Sequence, residues 1–391
     1  MRFASITDRL SGLGSEKWAV HLEGRRRAAA GEPLIFLSIG EPDLAPPAAV
    51  VEAAIGGIRS GRTKYSAVRG EPAAMRAIAG HYTRRSGRSV STDHIVCMAG
   101  TQHALYAVIT ALVQHGDEVL VPDPYYATYE AVVASSGARF VAIRTRPEDR
   151  FHLTAEALEA AITPSSRVLL LNSPSNPTGA VLTEVEIDAI GEVCERHDLW
   201  IVCDEVYASM TYDVPFASPF DRPQLARRSV SIASISKSHA LPGFRCGWVA
   251  CAPELARRLT LLSETMLFGT QPFLADALAV ALDCEHPEVD LLRNAFRTRA
   301  ETLVGAFDGC GGASARMPEG GMFVMIDVRP TGLSGEAFAR RLLDDCGVVV
   351  MPGESFGAQG AGHIRVALTV DTAVMTDACG RIAALADALR V

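Results

Sequence analysis

Apolar positions along the chain follow two rhythms. Short unbroken apolar runs recur through the middle: "HIVCM" (94–98), "EVLVP" (118–122), "RFVAI" (139–143), "RVLLL" (167–171), "LWIVCDE" (199–205) and "SVSIAS" (229–234). Between them the spacing lengthens. Ala104, Leu105, Val108 and Leu112 repeat on one helical face, and residues 183–197 carry a second helical stretch. Buried strands alternating with helices predict an α/β domain with a mainly parallel central sheet flanked by helices. Further on, the order changes. A helical stretch from near Pro272 to about Phe307 breaks around "CEHPE" (284–288), and "MFVMIDV" (322–328), a helix at 334–345, "VVVM" (348–351), "HIRVAL" (363–368) and a last helix from about Asp371 follow. This reads as a smaller α+β domain. The helical stretch at 15–30 has no neighbouring strands and is expected to pack on that smaller domain. The expected division is 1–45, 46–285 and 286–391.

Bulk composition narrows the function. The chain has 391 residues, 48% hydrophobic and 21% charged, enough for a large buried core plus a smaller unit. Its formal charge of −8 disfavours a nucleic-acid partner. "MRFASITDRL" lacks the apolar core of a signal peptide, and no uncharged apolar run reaches the roughly 18 residues of a membrane span. The nine cysteines include no Cys-x-x-Cys, and no His–Cys spacing suits a metal. Their odd number and apolar settings point to a reducing, cytoplasmic compartment.

Four polar constellations fall where strands of such a sheet should end, which is where α/β sheets bind ligands. In "MAGTQHAL" (98–105), Gly100 and Thr101 open a helix whose N–H groups suit a phosphate; an ordinary strand–helix turn capped by Thr101 is the plainer reading. In "LLNSPSNPTG" (170–179), Asn176 is presented by a stiff loop, or makes an Asx turn. In "IVCDEVY" (201–207), Asp204 ends an apolar strand, with Tyr207 three residues on; it is an anion that must meet a cation such as a protonated ring nitrogen, or, more plainly, a salt-bridged or capping Asp. In "SISKSHALPGFRCGW" (234–248), Lys237 sits in a turn between Ser234 and Arg245. Desolvation and cationic neighbours would lower its pKa and make it a nucleophile, whereas a solvated side chain is the plainer reading.

Together these are the parts of a pyridoxal phosphate site. With "GEPD" (40–43), "YSAVRG" (65–70), "PDPYYATYE" (122–130) and "HIRVAL", in this order and spacing, the chain from about residue 15 resembles the fold-type I pyridoxal-phosphate aminotransferases of class I/II. The resemblance implies an aspartate-aminotransferase-like fold with residues 46–285 as the cofactor-binding domain. It implies roles as well. Lys237 would be the Schiff-base lysine and proton carrier, and Asp204 would pair with the ring nitrogen. Tyr207 and Asn176 would bind the ring hydroxyl, and Tyr126 would stack on the ring. Gly100, Thr101, Ser234 and Arg245 would hold the phosphate. Arg365 would grip the substrate carboxylate, with Gly40 and Asn176 beside it. Tyr65 would reach the phosphate of a neighbouring subunit in a homodimer with shared sites.

The wording of "SKSHA", "GGMFVMIDVRPTGLS" and "GAGHIRVAL" is similar to arginine–pyruvate transaminases. This implies transfer from arginine, or a related guanidino amino acid, to a 2-oxo acid such as pyruvate. Glu16 and Asp43 are then candidate acids for the guanidinium; a solvated helix charge and a turn residue are their plainer readings. Donors with aromatic, aliphatic or acidic side chains, and lyase or oxidase chemistry on the same fold, are the alternatives.

Overall fold

A computed structural model of the chain describes residues 2–391. In chain order its strands are Ile35–Phe36 (β1), Ile95–Met98 (β2), Glu118–Asp123 (β3), Arg139–Arg144 (β4), Ser166–Asn172 (β5), Trp200–Asp204 (β6), Ser229–Ser234 (β7), Gly247–Ala250 (β8), Ser314–Ala315 (β9), Phe323–Asp327 (β10), Val348–Val349 (β11), Met351–Pro352 (β12) and His363–Ala367 (β13). Seven of them form one sheet in the order β2-β8-β7-β6-β5-β3-β4. Every pairing is parallel except those of β8, which runs against both β2 and β7.

The unbroken apolar runs follow from burial on both faces. In β5, Val168 and Leu170 face one core, while Leu169 and Leu171 face the other. In β6, Val202 joins the first core and Ile201 and Cys203 the second. The flanking helices are punctuated by their own sequence. Thr183 and Glu186 form a capping box at the start of Glu184–Arg196. Pro72 opens Pro72–Ser86, and Gly87 closes it at φ 70°.

The second unit is built on the four-stranded antiparallel sheet β12-β13-β10-β9. The helix Gly335–Cys346, capped by Ser334, and Thr372–Ala388, capped by Asp371, pack on it. The expected break at 284–288 separates two helices with different neighbours. Pro272–Asp283 packs on Ala48–Arg59 and Pro72–Ser86 of the large unit, whereas Pro287–Gly305 packs on Thr372–Ala388. The N-terminal segment joins the small unit through a sheet: β1 pairs in parallel with β11, Leu37 donates to Val349, and Ala367 donates to Leu37. No helix of the described residues is long and apolar enough to cross a membrane.

Candidate active site

Sheet register assembles the site. β5 and β6 are aligned with Asn172 opposite Asp204, so both side chains emerge at the same carboxyl edge. Met98, Gly247 and Ser234 lie in line across β2, β8 and β7. Because β8 reverses direction, residues 235–246 are a connection folded over that edge. Lys237 and Arg245, eight residues apart in sequence, are thereby returned to one place. The resulting cavity, of about 300 Å³, is lined by Lys237, Asp204, Asn176, Tyr207, Arg245 and Arg365, with Thr101, Tyr126 and Gly40 along its walls.

Lys237 donates from Nζ to the Gly40 carbonyl at 2.6 Å. Burial pushes its pKa down to about 8; nearby Glu41 works against this, and Arg245 and Arg365 add to it. The amine is still mostly protonated near physiological pH, but the neutral form that attacks a carbonyl is far more populated than for a solvated lysine.

Asp204 is buried on the cavity floor. Tyr129 donates to Oδ2 at 2.9 Å, and the Val206 amide to Oδ1 at 3.2 Å. Burial nevertheless raises its pKa to about 6. Asn172 fixes the strand end by donating to the Asp204 carbonyl and accepting from the Asn176 amide. Tyr207 lies in the same buried wall, edge-on to Phe323, and burial drives its hydroxyl pKa far upward.

Beside this floor is a seat shaped for an anion. The helix Gly100–Leu112 begins without a side-chain cap, leaving leading N–H groups free. Gly100 has φ +82°, and a Cβ there would come within 2.3 Å of Arg245 Nη2. Only glycine lets the guanidinium close over the helix start. Arg245 itself donates only to the carbonyls of Pro242 and Ala99. Ser234, opposite Gly247 at the end of β7, is buried with its hydroxyl accepting from the Ser236 amide, and it is Ser236 rather than Ser234 that lines this cavity.

Arg365 faces Lys237 across the cavity from the centre of the small sheet, opposite Met325 and Met351. It is 1% exposed. Its guanidinium donates to Asn176 Oδ1 at 2.8 Å and to the Ser38 carbonyl at 2.5 Å, while its Nε has no partner. Phe323 and Phe356 lie over it, 4.1 and 4.5 Å from ring centre to Cζ. Burial draws its pKa down to about 10. A buried cation with only neutral acceptors and a free donor is a binding site for a small anion.

The donor set thus fits pyridoxal phosphate on structural grounds: a glycine cradle at a helix start for the phosphate, a buried carboxylate at the floor, and an activated lysine. Three expected residues fall elsewhere. Tyr65 is 87% exposed beside Phe268, outside this chain's own cavity. Asp43 is not a free acid at the mouth. It forms a two-pronged pair with the buried guanidinium of Arg299 at 2.7 and 2.8 Å, because Arg299 needs a counter-charge. Glu16 does not line the cavity either. It is exposed on the turn Ser15–Trp18 with its carboxylate over Gly12, since residues two apart on such a turn face different ways. Sequence reading missed Tyr129, Asn172, Ser38 and the aromatic cover of Arg365. Tyr129 and Asn172 lay inside recognised motifs; Ser38 and Phe356 carried no local signal.

Comparison with known proteins agrees with this geometry. The family "Aminotransferase class I and II" matches residues 32–382. The chain is 43% identical to the arginine–pyruvate transaminase of Pseudomonas aeruginosa over 98% of both chains. It is 34% identical to the aspartate/prephenate aminotransferase of Cereibacter sphaeroides over 95% of both. The crystal structure of the aspartate aminotransferase from Rhizobium meliloti superposes with a TM-score of 0.93 at 31% identity, covering 99% of each chain. The chain belongs to the class I and II aminotransferases, which are pyridoxal phosphate enzymes.

Proposed function

We propose that this aminotransferase takes its amino group from arginine or a related guanidino amino acid and passes it to a 2-oxo acid such as pyruvate. The likeness to the arginine–pyruvate transaminase over nearly the whole chain supports that donor. The observation carrying the amino-acid reading is Arg365, a buried cation without an anion, facing the low-pKa amine of Lys237 across one small cavity.

Each role follows from the surroundings of its residue. Lys237 would hold the cofactor through its amine and move the proton at the donor's Cα. Asp204, placed by Tyr129, would keep the ring nitrogen protonated; Tyr207 and Asn176 would bind the ring hydroxyl, and Tyr126 would cover the ring. Gly100, Thr101, Ser234 and Arg245 would take the phosphate. Bound there, the cofactor supplies the electron sink for the bond broken at Cα. Arg365 would fix the donor's carboxylate and so turn that bond toward Lys237.

The same reading makes the protein a homodimer in which Tyr65 completes the partner's site. It makes the compartment reducing and cytoplasmic, in keeping with nine cysteines that are all unpaired. It also keeps the division 1–45, 46–285 and 286–391, with one correction: β1 of the first segment joins the third, but its opening helix packs on the large unit, where Arg9 donates to the carbonyls of Ala134 and Ser135.

A panel of amino donors, each added alone and scored by conversion of the bound cofactor to its amine form, tests the proposal. Arginine is expected among the best donors. Arginine at the bottom of the panel would overturn the donor, and no conversion by any donor would overturn transamination.

A further inference from the structure

Neither acid expected to meet a guanidinium is available to it. Asp43 is held by Arg299, and Glu16 is turned outward. Among the described residues that line the cavity the one carboxylate, Asp204, is on the floor and bonded to Tyr129; Glu41, near enough to act on Lys237, is exposed outside that lining. The rim nearest the N-terminal segment is instead the side chain of Trp18.

Trp18 is held from both units. On the large side, Lys17 pairs with Glu130 and donates to the Ala127 carbonyl. On the small side, Ser355 donates from Oγ to the Lys17 carbonyl at 2.8 Å. The indole packs on the cluster of Ala127, Met351 and Phe356. The small Ala127 gives it room there, and Phe356 is also the ring lying 4.5 Å from the Arg365 guanidinium. The carboxylate grip and the indole therefore border one cluster, and both line the same cavity. Gln102, also on the wall, has an amide oxygen that already accepts from Thr128 but retains a second lone pair.

We infer that Trp18 is a specificity-determining residue that reads the donor's side chain by stacking its indole on a planar guanidinium, in place of a carboxylate pair. This rests on the guanidino-donor reading above. Tryptophan is the best cation–π partner among the aromatic side chains. The weakly hydrated, planar guanidinium stacks on such a face, whereas the compact, strongly hydrated ammonium of lysine does so poorly. The site should accordingly prefer arginine to lysine, although both side chains are cationic.

The test compares holoenzymes of the wild type, Trp18→Ala, Trp18→Phe and Glu16→Gln. Two readouts are taken: kcat/KM for arginine relative to alanine, and the inhibition constant of δ-guanidinovalerate relative to pentanoate. In Trp18→Ala both ratios are expected to fall about 10- to 30-fold. Trp18→Phe should recover part of that loss, and Glu16→Gln should leave both ratios within about twofold. A structural role alone would weaken all ligands together and leave the ratios unmoved. Unmoved ratios in Trp18→Ala, or a large loss in Glu16→Gln, would overturn the role of the indole while leaving arginine as the donor. Wild-type enzyme that turns over alanine but not arginine would overturn the donor reading, and this role with it.

Discussion

At the scale of single residues, the chemistry depends on where charge is buried. Arg365 sits among aromatic rings with neutral acceptors, so its free donor capacity waits for a carboxylate. Arg365→Ala should raise KM for amino donors about 100-fold, with a smaller fall in kcat, as steady-state kinetics would record. Asp204→Asn keeps the shape and the Tyr129 contact but removes the charge; kcat should fall at least about a hundredfold while cofactor remains bound, measured by turnover and by retained absorbance. Lys237 and Asp204 were legible because each breaks a rule: a lysine in a turn after a buried strand, and an acid ending an apolar run. Asp43, a candidate acid whose plainer reading was a turn residue, is instead paired with a buried guanidinium. Its partner Arg299 lies 256 residues further on, and no local pattern couples them.

At the scale of elements, two seams join the units around the cavity. In one, Asp123 at the end of β3 accepts amides from Ala358 and Gln359, and the Tyr125 amide donates to Phe356. In the other, His152 bridges Glu186 of the large unit and Glu319 of the loop leading to Phe323, at 2.7 and 2.8 Å; Arg150 approaches the same Glu319 at 3.5 Å. The hydrogen bond to Glu319 raises the His152 pKa above 6.5 in spite of burial. For a base raised on folding, the stabilisation is complete below the unfolded value and lost as pH climbs through the folded one. Melting temperature should therefore fall more for wild type than for His152→Gln between about pH 6 and about pH 9, by about 1–2 °C. An equal fall in both proteins would remove His152 from that seam's energetics. The buried strands were readable from their apolar runs. The reversal of β8 was not, because a short strand buried on both faces has the same composition in either direction. That reversal is nonetheless what brings Arg245 back beside Lys237.

At the scale of the whole molecule, one chain does not supply everything the site is expected to use. Tyr65, Phe268 and Leu261 are exposed at 87%, 52% and 67%, apolar surface that a second copy would cover. If Tyr65 completes the partner's site, co-expressed Lys237→Ala and Tyr65→Ala chains should form mixed dimers with one intact site. Their activity should exceed that of either variant alone; activity no higher than the Tyr65→Ala protein would argue for sites made from single chains. The expectation of a dimer rests on the resemblance, since pairing between copies leaves no periodic mark on a sequence. The central claim, that the amine of Lys237 anchors the cofactor, has an unusually clean test because the chain contains three lysines: Lys17, Lys64 and Lys237. Holoenzyme is reduced with borohydride, digested, and its peptides weighed by mass spectrometry. The account predicts the cofactor's mass on the Lys237 peptide alone, and its loss when arginine is added before reduction; an unmodified Lys237, or an adduct at Lys17 or Lys64 in its place, would contradict it.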